Sequence, residues 1–145
     1  MQVTWIFNAL ALIILTLGTS TCLAQDKYCP QSISVDQKIE NAPSGWAASD
    51  DHSASSLAAL TFFSGPPSED ASLKYDRWTV RNGLAYATWK FEPDSPGGIW
   101  LTCRYSSTRV VLTKKLPQNI SECTVTYDPK VQVSGSPEIR KIACH

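Results

Sequence analysis

The chain has 145 residues, with 13 Lys and Arg against 13 Asp and Glu, so its formal net charge is zero. Balanced charge without a basic run excludes a nucleic-acid partner, whose phosphates demand a positive footprint. The length predicts one domain, large enough to bury a core of its own.

Residues 1 to 24 carry no charged side chain, and the apolar run Ala9 to Leu17 is followed by small polar residues and then Cys22-Leu23-Ala24. This pattern predicts a secretory signal cleaved after Ala24, leaving residues 25 to 145 as a single β-rich domain. The segment departs from the usual signal in having no Lys or Arg ahead of the run. The alternative is an uncleaved anchor, but the span from Trp5 to Leu17 falls short of the roughly 20 residues a membrane helix needs. Lipid attachment at Cys22 is disfavoured by Thr19-Ser20-Thr21, which fits a lipidation motif poorly. Cleavage removes Cys22 and leaves Cys29, Cys103, Cys123 and Cys144, an even count that predicts two disulfides in an exported chain. No Cys and His residues cluster at a zinc-like spacing, so neither a metal nor another cofactor is expected.

The mature domain opens with a short strand around Ile33 and Val35, and Asn41 to Gly45 forms a turn. Trp46 to Ser49 reads as either a strand or an ordered loop. Leu57 to Phe63 could be a short buried helix or a strand; Thr61-Phe62-Phe63 and the break at Gly65-Pro66-Pro67 favour a strand. Gly65 to Asp76 is a stiff connection, because Pro66 and Pro67 fix φ and Pro67 holds its predecessor extended. One helical turn is expected to start at Ser68-Glu69-Asp70 and run through Leu73.

Asn82-Gly83 between two alternating runs is the strongest hairpin signal in the chain, since a type I′ turn needs positive φ at both central residues. Setting Arg81 opposite Leu84 places Val80 against Ala85 and Trp78 against Ala87. Trp78, Val80, Ala85, Ala87, Trp89 and Phe91 then share the face expected to be buried, and Thr79, Arg81, Leu84, Tyr86, Thr88 and Lys90 the exposed one. After a second turn at Pro93 to Gly98, Ile99 to Tyr105 alternates, and a loop at Ser106 to Arg109 sets Tyr105 against Val110 and Cys103 against Leu112. Leu101, Cys103, Tyr105, Val110 and Leu112 are expected on one face. Cys123, Val125 and Tyr127 alternate on the next strand, Asp128 to Pro137 reads as a long polar loop, and Ile139 to Cys144 closes the chain.

These elements predict a mainly β protein, an antiparallel meander curled into a sandwich or a partial barrel, with little helix. In a meander the strands of Cys103 and Cys123 flank the Val110 strand and lie about 9.6 Å apart, too far for a bridge that needs Cα atoms within about 7 Å. The expected disulfides are therefore Cys29 with Cys103 and Cys123 with Cys144.

Catalytic chemistry is hard to assemble from these residues. His145 is the last residue, so a Ser-His-Asp triad would have to use His52 within Asp50-Asp51-His52-Ser53, where neighbours along a strand point to opposite faces. The adjacent acids at Glu69-Asp70, and the pair Glu92 and Asp94, read as solvated turns; a small periplasmic hydrolase using Glu69 or Asp70 with His52 is the enzymatic alternative. A structural envelope protein is another. The expectation is a binding protein without a catalytic site. Its candidate partner-binding residues are the rigid turn Pro66, Pro67, Glu69 and Asp70, together with Trp100 and Arg104, which share the face of their strand opposite Leu101 and Cys103. Packing of Trp100 under a neighbouring loop is the structural alternative. Asp50, Asp51, Glu69 and Asp70 would suit a basic partner.

The mature chain also resembles a family of small exported bacterial proteins encoded near type VI secretion clusters. The resemblance rests on Cys29-Pro30, Gly45-Trp46, Gly65-Pro66-Pro67 with Glu69 and Ala71-Ser72-Leu73, Ala87-Thr88-Trp89, Trp100-Leu101-Thr102-Cys103-Arg104-Tyr105, Leu116-Pro117, Cys123-Thr124-Val125-Thr126-Tyr127 and Cys144. It implies a periplasmic immunity protein that binds and neutralises a peptidoglycan-cleaving effector. It assigns no inhibitory residue to a particular position of this chain.

Overall fold

The computed structural model describes residues 27–145, and the predicted signal segment lies outside them. Among the described residues nine strands form two antiparallel sheets. The first contains β1 (Ser32–Ile33), β2 (Ser55–Ser64), β3 (Ser72–Leu73), β6 (Ile99–Tyr105) and β7 (Val111–Lys115), in the order β1-β2-β6-β7 with β3 beside β2. The second contains β4 (Arg77–Arg81), β5 (Leu84–Lys90), β8 (Glu122–Val133) and β9 (Ser136–Cys144), in the order β4-β5-β8-β9. The hairpins follow one another as expected, but they alternate between two sheets instead of extending one. The helical turn expected from Ser68 through Leu73 is shorter, a single 3-10 turn at Pro67–Glu69 ended by Asp70 at φ 57°, and Leu73 lies in β3 instead.

The two sheets face each other across one core. Phe62 from β2 packs against Trp89 from β5 at 5.0 Å between ring centroids and against Phe91 at 5.3 Å. Leu101, Val125, Ile139 and Ile142 complete this layer and are almost wholly buried. Burying an aromatic side chain of this kind contributes about 2–3 kcal/mol. The Trp89 indole N–H also finds an acceptor, the Leu73 carbonyl at 3.2 Å, so the ring is buried without an orphaned donor.

The N-terminal strap of residues 28 to 33 ties the sheets together. The Leu57 N–H donates to the Gln31 carbonyl, while the Tyr28 hydroxyl donates to the Cys144 carbonyl and Gln31 Nε2 to the Ile139 carbonyl. Both expected disulfides are present: Cys29–Cys103 joins the strap to β6, and Cys123–Cys144 joins β8 to β9. The pairing is the expected one for a different reason. Cys103 and Cys123 stand in different sheets, so the Val110 strand does not separate them within one sheet.

The Asn82–Gly83 hairpin has the predicted register, with Trp78 opposite Ala87, Val80 opposite Ala85 and Arg81 opposite Leu84. Asn82 and Gly83 have φ of 52° and 77°, as a type I′ turn requires. Burial of that face is only half as expected. Ala85, Ala87, Trp89 and Phe91 are buried, whereas Trp78 and Val80 are exposed, because β4 ends its sheet on a side the opposing layer does not cover and every one of its residues is exposed. The β6–β7 hairpin behaves alike: Cys103 opposes Leu112 as predicted, but Leu112 is exposed on an edge strand and Val110 is exposed just ahead of it. The segment Asp128 to Pro137 is not a loop. It prolongs β8 and β9 as a hairpin arm turned at Ser134–Gly135, both at positive φ, with a register shift between Asp128 and Gln132.

Candidate partner-binding surface

The structure brings together only part of the predicted binding surface. The Gly65 N–H donates to the Gly98 carbonyl at 2.8 Å, which lays the Pro66–Asp70 turn against the Pro96-Gly97-Gly98 turn. Phe63 opposes Trp100 across β2 and β6, so Trp100 sits beside this pair of turns. Its indole N–H donates to the Gly97 carbonyl at 3.1 Å, and the ring is half-buried. Glu69 folds back so that its carboxylate lies over Gly65. This region is largely satisfied by its own contacts, although Glu69 and Asp70 remain exposed. Arg104 is four residues along β6 from Trp100, about 13 Å at strand spacing. It is exposed at the other end of the sheet.

The residues of the hydrolase alternative are also kept apart. His52 precedes β2, and Glu69 and Asp70 follow it, with the ten residues of β2 between them. That length is about 33 Å of extended chain. Asp50 accepts hydrogen bonds from the Gln37 and His52 backbone N–H groups, which lower its pKa, and Asp51 accepts from the Ser53 N–H and hydroxyl, which lower its own. Carboxylates held ionised in this way are poor proton donors for acid catalysis. Among the described residues no group of three or more His, Cys, Asp or Glu could hold a metal ion.

A second surface was not expected from the sequence. Beyond the buried part of the second sheet, its inner face continues into exposed Tyr75, Trp78 and Val80, with half-buried Tyr127 beside them. Trp78 packs 5.5 Å from Tyr75 and 5.7 Å from Tyr127, and Tyr75 meets the buried Trp89 at 6.0 Å, edge-on. Tyr75 is 50% exposed, Trp78 46% and Val80 65%. The aromatic chain thus runs from the core to the surface, and each ring is braced by the next. Large contiguous aromatic exposure on a rigid frame marks a protein interaction site. Tyr127 is the most enclosed of the surface rings, and burial pushes its phenol up to about 12.

A family model described as type VI secretion system Tli immunity protein matches residues 50–145. The chain belongs to this immunity protein family. The matched segment contains β2 to β9 and so both candidate surfaces, while Cys29 lies ahead of it and is bonded to Cys103 within it. The immunity protein is also 28% identical over 125 residues to an Azospirillum brasilense protein described as an uncharacterized 16.3 kDa protein in the trpG 5′ region. That match covers 80% of this chain and 81% of the relative. No solved structure matches. Membership implies a protein partner, a secreted effector.

Proposed function

We propose that the protein is a periplasmic immunity protein that binds and neutralises a peptidoglycan-targeting effector delivered by type VI secretion. The family match over residues 50–145 carries this reading. The two disulfides support the compartment, because bridges of this kind form and persist in oxidising spaces such as the periplasm. The signal-like residues 1 to 24 support export to it. An effector that cleaves the wall meets its substrate in the same space, so an inhibitor resident there would intercept it at its point of action. Two surfaces offer themselves for the contact: the Pro66–Asp70 turn with Trp100, and the uncovered aromatic face of β4.

The test is co-expression of the full-length chain with the protein encoded by the neighbouring effector gene, the latter directed to the periplasm. The expected result is survival of the cells, co-purification of the two proteins, and suppression of muropeptide release from isolated peptidoglycan. Continued lysis without co-purification would overturn the immunity reading. Protection against a toxin that leaves peptidoglycan intact and damages another envelope component would overturn its wall-targeting part.

A further inference from the structure

Each sheet has one outer strand exposed along its whole length, β4 in one and β7 in the other, and the two differ in how they treat their free edges. In a two-residue hairpin the residues flanking the turn form a hydrogen-bonded pair, here Arg81 and Leu84, and pairs alternate from there. Thr79 and Arg77 therefore bond to β5, and Trp78 and Val80 turn their backbone N–H and C=O groups away from it. The hydrogen bonding of β5 agrees, since the Phe91 N–H, of the opposite parity, donates to Ser121 on the β8 side. The residues that expose apolar side chains on the inner face are thus the same residues that expose unpaired backbone at the edge. Such an edge is a template for another strand unless it is blocked.

On β7 the edge is blocked by charge. It ends in Lys114 and Lys115, and Lys114 Nζ reaches across to the Lys27 carbonyl at 2.9 Å. On β4 no charged side chain stands on the inner face, where Trp78 and Val80 lie beside Tyr75 and Tyr127. The cations near the edge are Lys74, Arg77 and Arg81. None of the three is in an ion pair among the described residues, although the Arg81 guanidinium stacks on Tyr86 at 4.7 Å on the outer face. The one acid in this stretch, Asp76, has an oxygen occupied by the Lys90 backbone N–H at 2.7 Å.

We propose that the effector docks by adding an extended segment alongside Arg77–Arg81. Its backbone pairs with Trp78 and Val80, its apolar side chains lie on the Tyr75–Trp78–Tyr127 floor, and acidic residues flank it to meet Lys74, Arg77 and Arg81. This assignment rests on the immunity reading and names the partner's contacting chemistry: an apolar strand with carboxylates beside it. Backbone pairing supplies affinity in this recognition mode, and the aromatic floor supplies selection. The braced rings lose little freedom on binding, which favours a tight contact.

The experiment measures binding of the mature, oxidised chain to the protein encoded by the neighbouring effector gene, purified in a non-toxic form. Val80→Pro removes the N–H that faces the open edge and leaves the pairs with β5 intact, a position where an edge strand accepts proline. Val80→Lys places a charge on the aromatic floor without disturbing the core. Both variants are checked for a wild-type thermal transition. The expected result is tight wild-type binding, weakened about 30-fold or more in each Val80 variant, with Val111→Lys, an exposed position on β7 away from both candidate surfaces, close to wild type. Undiminished binding in both Val80 variants would overturn the β4 assignment and leave the immunity reading standing. Absence of wild-type binding would overturn both. A chain that is dimeric alone and monomeric as Val80→Lys would assign the edge to a second copy of itself and also overturn the proposal.

Discussion

Trp78 and Ala87 stand directly opposite each other on one face of the β4–β5 ladder, and Ala87 is fully buried while Trp78 is 46% exposed. The boundary of the core passes between two paired residues. On one side of it the sheet is covered by the opposing layer; on the other the same face is open and aromatic.

That boundary predicts unequal costs for two tryptophans on one hairpin. Trp89→Ala should destabilise the domain by about 3–5 kcal/mol, because it empties a packed site against Phe62 and leaves the Leu73 carbonyl without its donor. Trp78→Ala should cost roughly 1 kcal/mol, the range for an open site. Denaturant unfolding of both variants checks the difference, and equal losses would place Trp78 in the core.

The register of both hairpins was legible in the sequence because alternation and the Asn82-Gly83 turn determine which residues oppose each other. Burial was not legible to the same degree, since it depends on how far the other sheet extends. Trp78, Val80 and Leu112 have the composition of core residues and lie on edge strands instead, and Val110 is exposed just ahead of one. The Ser134-Gly135 turn lies inside a polar stretch that reads as a loop; in the structure Pro129 falls within the irregular pairing between Asp128 and Gln132, and Pro137 pairs with Gln132. For the candidate site, the local signal of proline rigidity found the Pro66–Asp70 turn. The aromatic face required knowing which strand ends the sheet, a fact about tertiary arrangement that no local pattern carries.

The two bridges should contribute unequally. Cys29–Cys103 spans 74 residues of sequence and Cys123–Cys144 spans 21. Each is expected to contribute about 2–4 kcal/mol, with chain entropy favouring the longer loop by about 1 kcal/mol. Paired Cys→Ser variants compared by urea unfolding test the order. Reduced protein lacking both should be largely unfolded, because the combined loss of roughly 4–8 kcal/mol approaches a whole domain's stability. Full stability after reduction would contradict the role given to the strap.

Alkaline stability should depend on Tyr127. Its phenol is raised by burial to about 12 in the folded chain, whereas an unfolded tyrosine titrates near about 10. The folded pKa is the higher one, so the associated stability is whole below about pH 10 and is lost as pH rises through the folded pKa. Unfolding free energy should fall over this window by up to about 1.4 kcal/mol per pH unit more in the wild type than in Tyr127→Phe. Parallel pH profiles for the two proteins would show that Tyr127 is not desolvated.

The central claim, that the open edge of β4 receives the partner, is tested most directly by amide hydrogen exchange of the mature chain alone and with the neighbouring gene's product. The backbone N–H groups of Trp78 and Val80 should exchange quickly in the free protein and become strongly protected in the complex. Protection confined to the Pro66–Asp70 turn and Trp100, with Trp78 and Val80 exchanging as before, would contradict it.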